Sequence, residues 1–491
     1  MVRNMADYAE LHEKALQFYR RGEYAMALDL FKSIPQQVQI PQEKMWSWHQ
    51  AMAMCLLWCG RVRDSLGHWK AVWQNPGDMP REALQDSYSN YLMYLHYIDD
   101  VSDEQLKEEH FRYQEFVQAD EVFSHIHRER KQKKLRIAYL SPDIVDHIVT
   151  NFTVQLLALY NREDFEVVLY NIGERTNEVT DWLYGMVNGW RNLHGLLPKE
   201  AARQIYADDI DILVDLSGHC AGGKTLQIAA YRPAPVQICG IGYFDTTGLA
   251  AMDYVLGDVY CDPKGQETFF REKIIRLPHS HLCYTPSERF AGALPDYRVH
   301  TPLTFGSFNN FSKITEQALI VWREILHRVP DSRLLLKNVH PQIETLQAMK
   351  RKMRQLGFPL DRVEIRPGSY DYIKDYREVD IILDTYPYTG GGTTCEALYL
   401  GIPVLNRHGR RHGSRFSYSL LSNAGLGELS VDSWNEYIEK AVALAGSSEL
   451  LQALHQNIPR MMKESPLMDG AGYVKEVENA YRRAWREWCN S

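Results

Sequence analysis

"VDIILDTYPYTGGGTTCEALYLGIPVL" runs from residue 379 to residue 405. The opening run is apolar and rich in branched side chains, which suits a buried strand. A helix-type run and a second short apolar run close the stretch. Between them stand Gly390, Gly391, Gly392, Thr393 and Thr394. Glycine weakens regular structure, so three in succession at a strand-to-helix junction need a reason. One reason is an anion: backbone N–H groups at a helix start, with hydroxyls beside them, hold phosphate. The other is a tight turn with Thr393 as N-cap. The loop alone leaves the two even, and the rest of the chain has to decide.

Working outward, strand-type and helix-type runs alternate on both sides. "LTFGSFNN", "SRLLLKN", "RVEIRPG", "VDIILDT" and "IPVLNRHG" read as strands of one half. "LRIAYLS", "FEVVLYNIG", "IDILVDLSG", "APVQICGIGY", "MDYVLGD" and "REKIIRLP" read as strands of an earlier half. Strands alternating with helices imply parallel sheets covered on both faces. The fold class is therefore α/β, with two Rossmann-like domains, a cleft expected between them, and ligand at the carboxyl ends of the strands. The expected domains are residues 131–298 and 299–491, the latter with the long amphipathic helix "GAGYVKEVENAYRRAWREW".

Residues 1–130 read differently. "ALQFYRRGEYAMALDLF" (Ala15–Phe31) matches "AMCLLWCGRVRDSLGHW" (Ala53–Trp69) at a period of 38 residues. Gly22 pairs with Gly60, Ala27 with Ser65, and Phe31 with Trp69. Each unit is a helix, a Gly turn and a second helix with a small residue at the close approach. This is a pattern like the tetratricopeptide repeat. Two repeats seldom stand alone, so the block is expected to dock on the α/β part of the chain. Its aromatic stripe (Trp46, Trp48, Trp58, Trp69, Trp73) reads as core rather than as a peptide groove. The charged stretch "HRERKQKKLR" (His127–Arg136) reads as a solvated linker.

Composition narrows the function. The chain has 491 residues, 45% of them hydrophobic and 24% charged, with a formal net charge of -8. That balance argues against nucleic acid as the main partner. The first residues lack a signal-type apolar core, and "AMAMCLLWC" is too short to span a bilayer. Eight cysteines stand without a C-x-x-C pair, which suits a reduced cytoplasmic protein without structural zinc.

The strand ends carry the chemistry. In the first half they are "SPDIVDH" and "LSGHCAGG"; in the second they are "GSFNNFSKI" and the opening loop. "GYFDTTG" and "GRRHGSR" add hydroxyls and bases. Lys313 follows the pair Asn309 and Asn310, and could reach the anion held by Gly390–Thr394. Glu396, one turn into the helix, suits a ribose diol. His147 and His219 each follow a strand end, where a base or a substrate contact is expected. "DDID" (Asp208–Asp211) leads straight into a strand and reads as a turn, not as a metal motif.

With these stretches in order, residues 135–488 resemble the catalytic part of the O-linked N-acetylglucosamine transferase family, of the GT41 type and GT-B architecture. "RPAPVQ" followed by "GY" and "MDY" is the most distinctive run, and tetratricopeptide repeats ahead of such a region are typical. The resemblance implies an inverting transfer of N-acetylglucosamine from a UDP-sugar to Ser or Thr hydroxyls of a protein, without a metal or other cofactor. It implies that Lys313 stabilises the leaving UDP, that Gly390 to Thr394 and Asn310 hold phosphate, and that Glu396 meets the ribose. His147 takes the place of the family's active-site histidine. His219, Tyr243, Asp245 and Thr246 fall on the sugar and acceptor side. The acceptor is a protein, with flagellin or another surface protein as one option, and an oligomer is compatible.

Three positions depart from the family pattern. "GYFDTTG" replaces Gly-Tyr-Pro-Gly-Thr-Thr-Gly, Gly392 replaces a threonine, and Tyr372 replaces a histidine near the uracil. These departures leave two alternatives. One is a hexose transferase acting on Asn, with Asp245 in a changed acceptor site. The other is a UDP-binding scaffold without turnover.

Overall fold

The computed structural model describes residues 2–125, 134–290 and 299–491. Most of the charged linker lies outside the described residues, and the expected domain boundaries at 130/131 and 298/299 lie outside them or at their edge. Contacts divide the chain into two units that do not follow chain order. One takes in Met1–Val101, Ala293–Gly409 and Leu429–Ile458; the other takes in Ser102–Gly292, Arg410–Glu428 and Pro459–Ser491. No helix among the described residues is long and apolar enough to cross a membrane.

The first unit opens with helices α1 (Val2–Arg20), α2 (Tyr24–Gln37), α3 (Met45–Trp58), α4 (Val62–Gln74) and α5 (Arg81–Leu95). The repeat is visible in three dimensions. Gly22 and Gly60 both turn the chain with positive φ (78° and 73°), a conformation that favours glycine. Ala27 and Ser65, and likewise Phe31 and Trp69, are fully buried where the paired helices meet. The other tryptophans are partly buried and engaged. Trp48 donates to the Phe31 carbonyl at 2.9 Å, and Trp46 donates to Asp78 at 2.8 Å. Trp58 stacks on Tyr24, and Trp73 packs against Tyr88 and Tyr91.

The same unit carries six parallel strands: β8 (Thr304–Ser307), β9 (Arg333–Lys337), β10 (Val363–Arg366), β11 (Ile381–Leu383), β12 (Val404–Arg407) and β13 (Ser430–Val431). Their order is β10-β9-β8-β11-β12-β13. The helical block docks here as expected. Thr345 donates to the Trp58 carbonyl at 2.7 Å, and Leu57, Val62, Tyr97 and Ile98 form a cluster against Tyr388.

The second unit holds seven parallel strands: β1 (Leu135–Ser141), β2 (Phe165–Asn171), β3 (Gly189–Asn192), β4 (Ile212–Asp215), β5 (Val236–Cys239), β6 (Tyr254–Asp258) and β7 (Lys273–Leu277). Their order is β3-β2-β1-β4-β5-β6-β7. β3 and β13 are short and were not legible as strands. Helix α6 (Asp103–Phe116) belongs to this unit, and so does the C-terminal helix Gly470–Cys489. The latter reaches β1 through Tyr481 and Tyr139, and β6 through Glu487 and Tyr254.

In both sheets the strand order reverses beside the first strand of the set. The reversal lies between β1 and β4 in one and between β8 and β11 in the other. The carboxyl ends at such a switch point are where open α/β sheets bind ligands. The loops there are the four singled out from the sequence.

Candidate functional site

The loop after β11 is built around Asp384. Its side chain is buried and accepts from the backbone N–H groups of Thr385 at 2.8 Å and Gly390 at 2.9 Å. Asn406 donates to it at 3.0 Å and Asn309 at 3.3 Å. A buried carboxylate with this many donors folds the loop back on itself. Sequence reasoning missed Asp384, although an Asp directly after a buried strand and before a Gly run was the available signal.

The three glycines are not needed for positive φ. Gly390 is needed for space: a Cβ there would lie 2.7 Å from the hydroxyls of both Thr393 and Thr394 and 3.0 Å from Asp384. The helix starts at Gly392, and its N-cap is Gly391, with no side-chain cap. Thr393 is therefore not the N-cap, which corrects the tight-turn reading. Its hydroxyl instead leans on the Asn309 side chain at 3.4 Å, and Thr394 bonds the Gly390 carbonyl at 3.2 Å. An uncapped first turn is the kind of site where backbone N–H groups meet anions.

Lys313 sits beside this loop. Its ammonium lies 3.5 Å from the centre of the Tyr388 ring, and Tyr388 is held through its carbonyl by Thr385 at 2.7 Å. Asn310 caps the short turn that carries Lys313, accepting from Ser312 N–H at 3.0 Å. Glu396 is buried one turn into the helix and accepts from Tyr372 at 2.6 Å and Tyr376 at 3.2 Å. Tyr372 thus keeps a ring next to Glu396 and adds a hydroxyl bond that an imidazole there would make differently. The first unit therefore brings together Asn309, Asn310, Lys313, Tyr372, Gly390, Gly391, Gly392, Thr393, Thr394 and Glu396.

The remaining candidates belong to the second unit. His147 is half-buried and caps the helix Ile148–Ala158, its Nδ1 accepting from Val149 N–H at 3.4 Å. With Nδ1 accepting, a neutral tautomer would carry its proton on Nε2. Asp143 lies 3.7 Å from the same Nδ1. His219 is fully buried and donates to the Thr247 carbonyl at 2.9 Å. Burial and the neighbouring His110 hold its pKa well below the usual histidine range, so it stays neutral.

Tyr243, Asp245 and Thr246 are also buried. The Tyr243 hydroxyl donates to His110 Nε2 at 2.6 Å, and His110 donates from Nδ1 to the Leu106 carbonyl of α6 at 2.6 Å. Burial, with Asp245 nearby, pushes the Tyr243 phenol well above its usual range. Asp245 forms a two-pronged ion pair with Arg411, the Nε contact measuring 3.0 Å. Thr246 donates to Glu272 at 2.6 Å, and Thr247 reaches the same carboxylate through both N–H and hydroxyl. Glu272 is buried, and burial raises its pKa despite these donors. Gly248 has φ +70°, and a Cβ there would strike the His110 carbonyl. The 242–248 loop is thus held by His110, Arg411 and Glu272. Glu272 was not singled out, and Arg411 was noted only as part of the basic stretch "GRRHGSR", without its link to Asp245.

The profile of glycosyl transferase family 41 matches residues 115–291 and 287–477. The chain belongs to this family. It is 36% identical over 414 residues to a Petunia hybrida protein named "Probable UDP-N-acetylglucosamine--peptide N-acetylglucosaminyltransferase SPINDLY", covering 82% of this chain and 44% of that protein. The protein of the same name from Solanum lycopersicum is 36% identical over 412 residues, with the same shares covered. The chain therefore spans less than half the length of these relatives. A solved structure of a variant of the Thermobaculum terrenum O-GlcNAc transferase superimposes with TM-score 0.88 at 29% identity. The match covers 98% of this chain and 91% of that one. The GT-B class read from the sequence, a helical front end followed by two parallel-sheet α/β domains, is the architecture observed.

Proposed function

We propose that the chain is an inverting protein O-glycosyltransferase that moves N-acetylglucosamine from UDP-N-acetylglucosamine to Ser or Thr hydroxyls without a metal in the transfer. The observation that carries this reading is the Gly392 helix start, with no side-chain cap, next to Lys313. In the reaction the acceptor oxygen bonds to the anomeric carbon while the bond from that carbon to the diphosphate oxygen breaks. The electron pair leaves with UDP, and the hydroxyl proton passes to a base. Lys313 and the helix N-terminus offset the charge that grows on the diphosphate, the work a divalent cation does in other transferases. Glu396, oriented by Tyr372 and Tyr376, receives the ribose diol. His147, donating from Nε2, contacts substrate.

The names of the relatives support the sugar and the peptide acceptor as the first to test. The eight free thiols suit the cytoplasmic placement kept as part of this proposal. Asp245 is paired with Arg411, so it gives no particular support to an asparagine acceptor. Intact-mass analysis of modified acceptors, flagellin among them, reads the sugar, and site mapping separates Ser or Thr from Asn.

The deciding experiment is calorimetric titration of UDP into the wild type and Lys313→Ala, with and without magnesium. The expected result is magnesium-independent binding that weakens about tenfold in the variant, roughly the worth of one charge-assisted contact. No UDP binding by the wild type overturns the donor assignment.

A further inference from the structure

Away from the loops already described, the second unit buries three metal-type side chains together: Cys261, His281 and His412. One ligand atom of each lies within 4.8 Å of the others. Cys261 follows β6, His281 follows β7, and His412 comes from the returning segment Arg410–Glu428. No local spacing announces such a set, which is why the sequence suggested no structural zinc.

The second observation concerns what each ring does with its two nitrogens. His281 donates from Nδ1 to Asp258 at 2.6 Å, and His412 donates from Nδ1 to Asp262 at 2.8 Å. The Nε2 of each ring is buried and has no hydrogen-bond partner. The rings lie 4.7 Å apart between centroids. Two carboxylates fix the two imidazoles from behind, and the opposite nitrogens are left buried without a partner. Asp–His pairs of this kind orient histidine ligands on metals. Orphaned buried polar atoms are costly without an occupant to satisfy them.

We propose that Cys261, His281 and His412 bind a zinc ion that ties the returning segment to the ends of β6 and β7. Zinc takes sulfur and imidazole ligands in tetrahedral sets, with ligand atoms ~3.3–3.7 Å apart. Binding therefore draws the three side chains somewhat closer. The Cys261 thiol gives up its proton to solvent, and both imidazoles bind neutral through Nε2. The ion with one thiolate keeps a single positive charge, which Asp258 and Asp262 offset. A fourth position remains for water. The role is structural and leaves the metal-free transfer proposed above untouched.

Without the ion, the competing occupant is a proton. Burial opposes a charge on His412, but Asp262, with Asp258 and Asp245 behind it, outweighs burial and raises its pKa. The test must tell metal from proton. The full chain is produced in zinc-supplemented cells, and its metal content is measured by plasma mass spectrometry. About one zinc per chain is expected, falling about tenfold or more in Cys261→Ser and in His412→Gln. Asp262→Asn should weaken retention against a chelator by about 10–100-fold. Cobalt loaded in place of zinc should show thiolate-to-metal absorbance in the near ultraviolet. Should Cys261→Ser not fold, the cobalt spectrum of the wild type decides. Metal-free protein without that absorbance after refolding in cobalt overturns the proposal, and so does equal zinc in wild type and both folded ligand variants.

Discussion

The loop at Gly390–Thr394 and the loop at Gly242–Gly248 have similar compositions and opposite chemistry. Each is rich in glycine and threonine, and each follows a buried strand. In the 242–248 loop the side chains of Tyr243, Asp245, Thr246 and Thr247 meet His110, Arg411 and Glu272, and the loop turns inward. In the other, Asp384 gathers the backbone from behind and leaves a helix start that no side chain caps. What differs is how far internal partners already answer each loop's polar groups.

The largest expected effect comes from breaking the inward loop. Arg411→Ala leaves Asp245 buried without its cation and should cost about 3–5 kcal/mol in urea unfolding. Replacing both partners, Asp245→Leu with Arg411→Met, should restore most of that. A loss under about 1 kcal/mol in the single variant would mean that the pair does not hold the loop. Next comes the outward loop. Lys313→Ala should lower turnover by about 10²–10³ while unfolding shifts by less than about 0.5 kcal/mol. Turnover like that of the wild type in a folded variant removes the assigned role.

Asp384→Asn tests how the outward loop is held. It sets an amide against N–H donors and should lower stability by about 1.5–3 kcal/mol, with weaker UDP binding alongside. Unchanged UDP affinity in calorimetry would separate the loop from the nucleotide. The smallest effect is expected for Tyr372→Phe. Removing one of the two hydroxyls on Glu396 should change UDP affinity by about 0.5–1.5 kcal/mol, and no change would leave Glu396 positioned by Tyr376 alone.

Much of this was legible in the sequence because local patterns carry it. Branched apolar runs marked eleven of the thirteen strands among the described residues, and the Gly22 and Gly60 turns marked the repeat. β3, with exposed Trp190, and the two-residue β13 lack the apolar signal that marks a strand. Lys313 and Glu396 were singled out because they stand at strand and helix ends. The partners of the 242–248 loop were not, because Arg411 lies 166 residues from Asp245 and charge pairing over that span leaves no periodicity. The inward turn of Tyr243, Asp245 and Thr246 was hidden for the same reason. Their residue types gave no sign of the protein groups they meet.

The C-terminal helix Gly470–Cys489 lies on the sheet whose strands were made some two hundred or more residues earlier. During synthesis that sheet waits, with the surface around Tyr139 and Tyr254 uncovered, until residues 459–491 have left the ribosome. Its neighbour, which needs nothing beyond Ile458, is complete sooner. The order in which the two units mature is thus the reverse of the order in which their central sheets are translated, and the earlier sheet is the one a chaperone would have to guard.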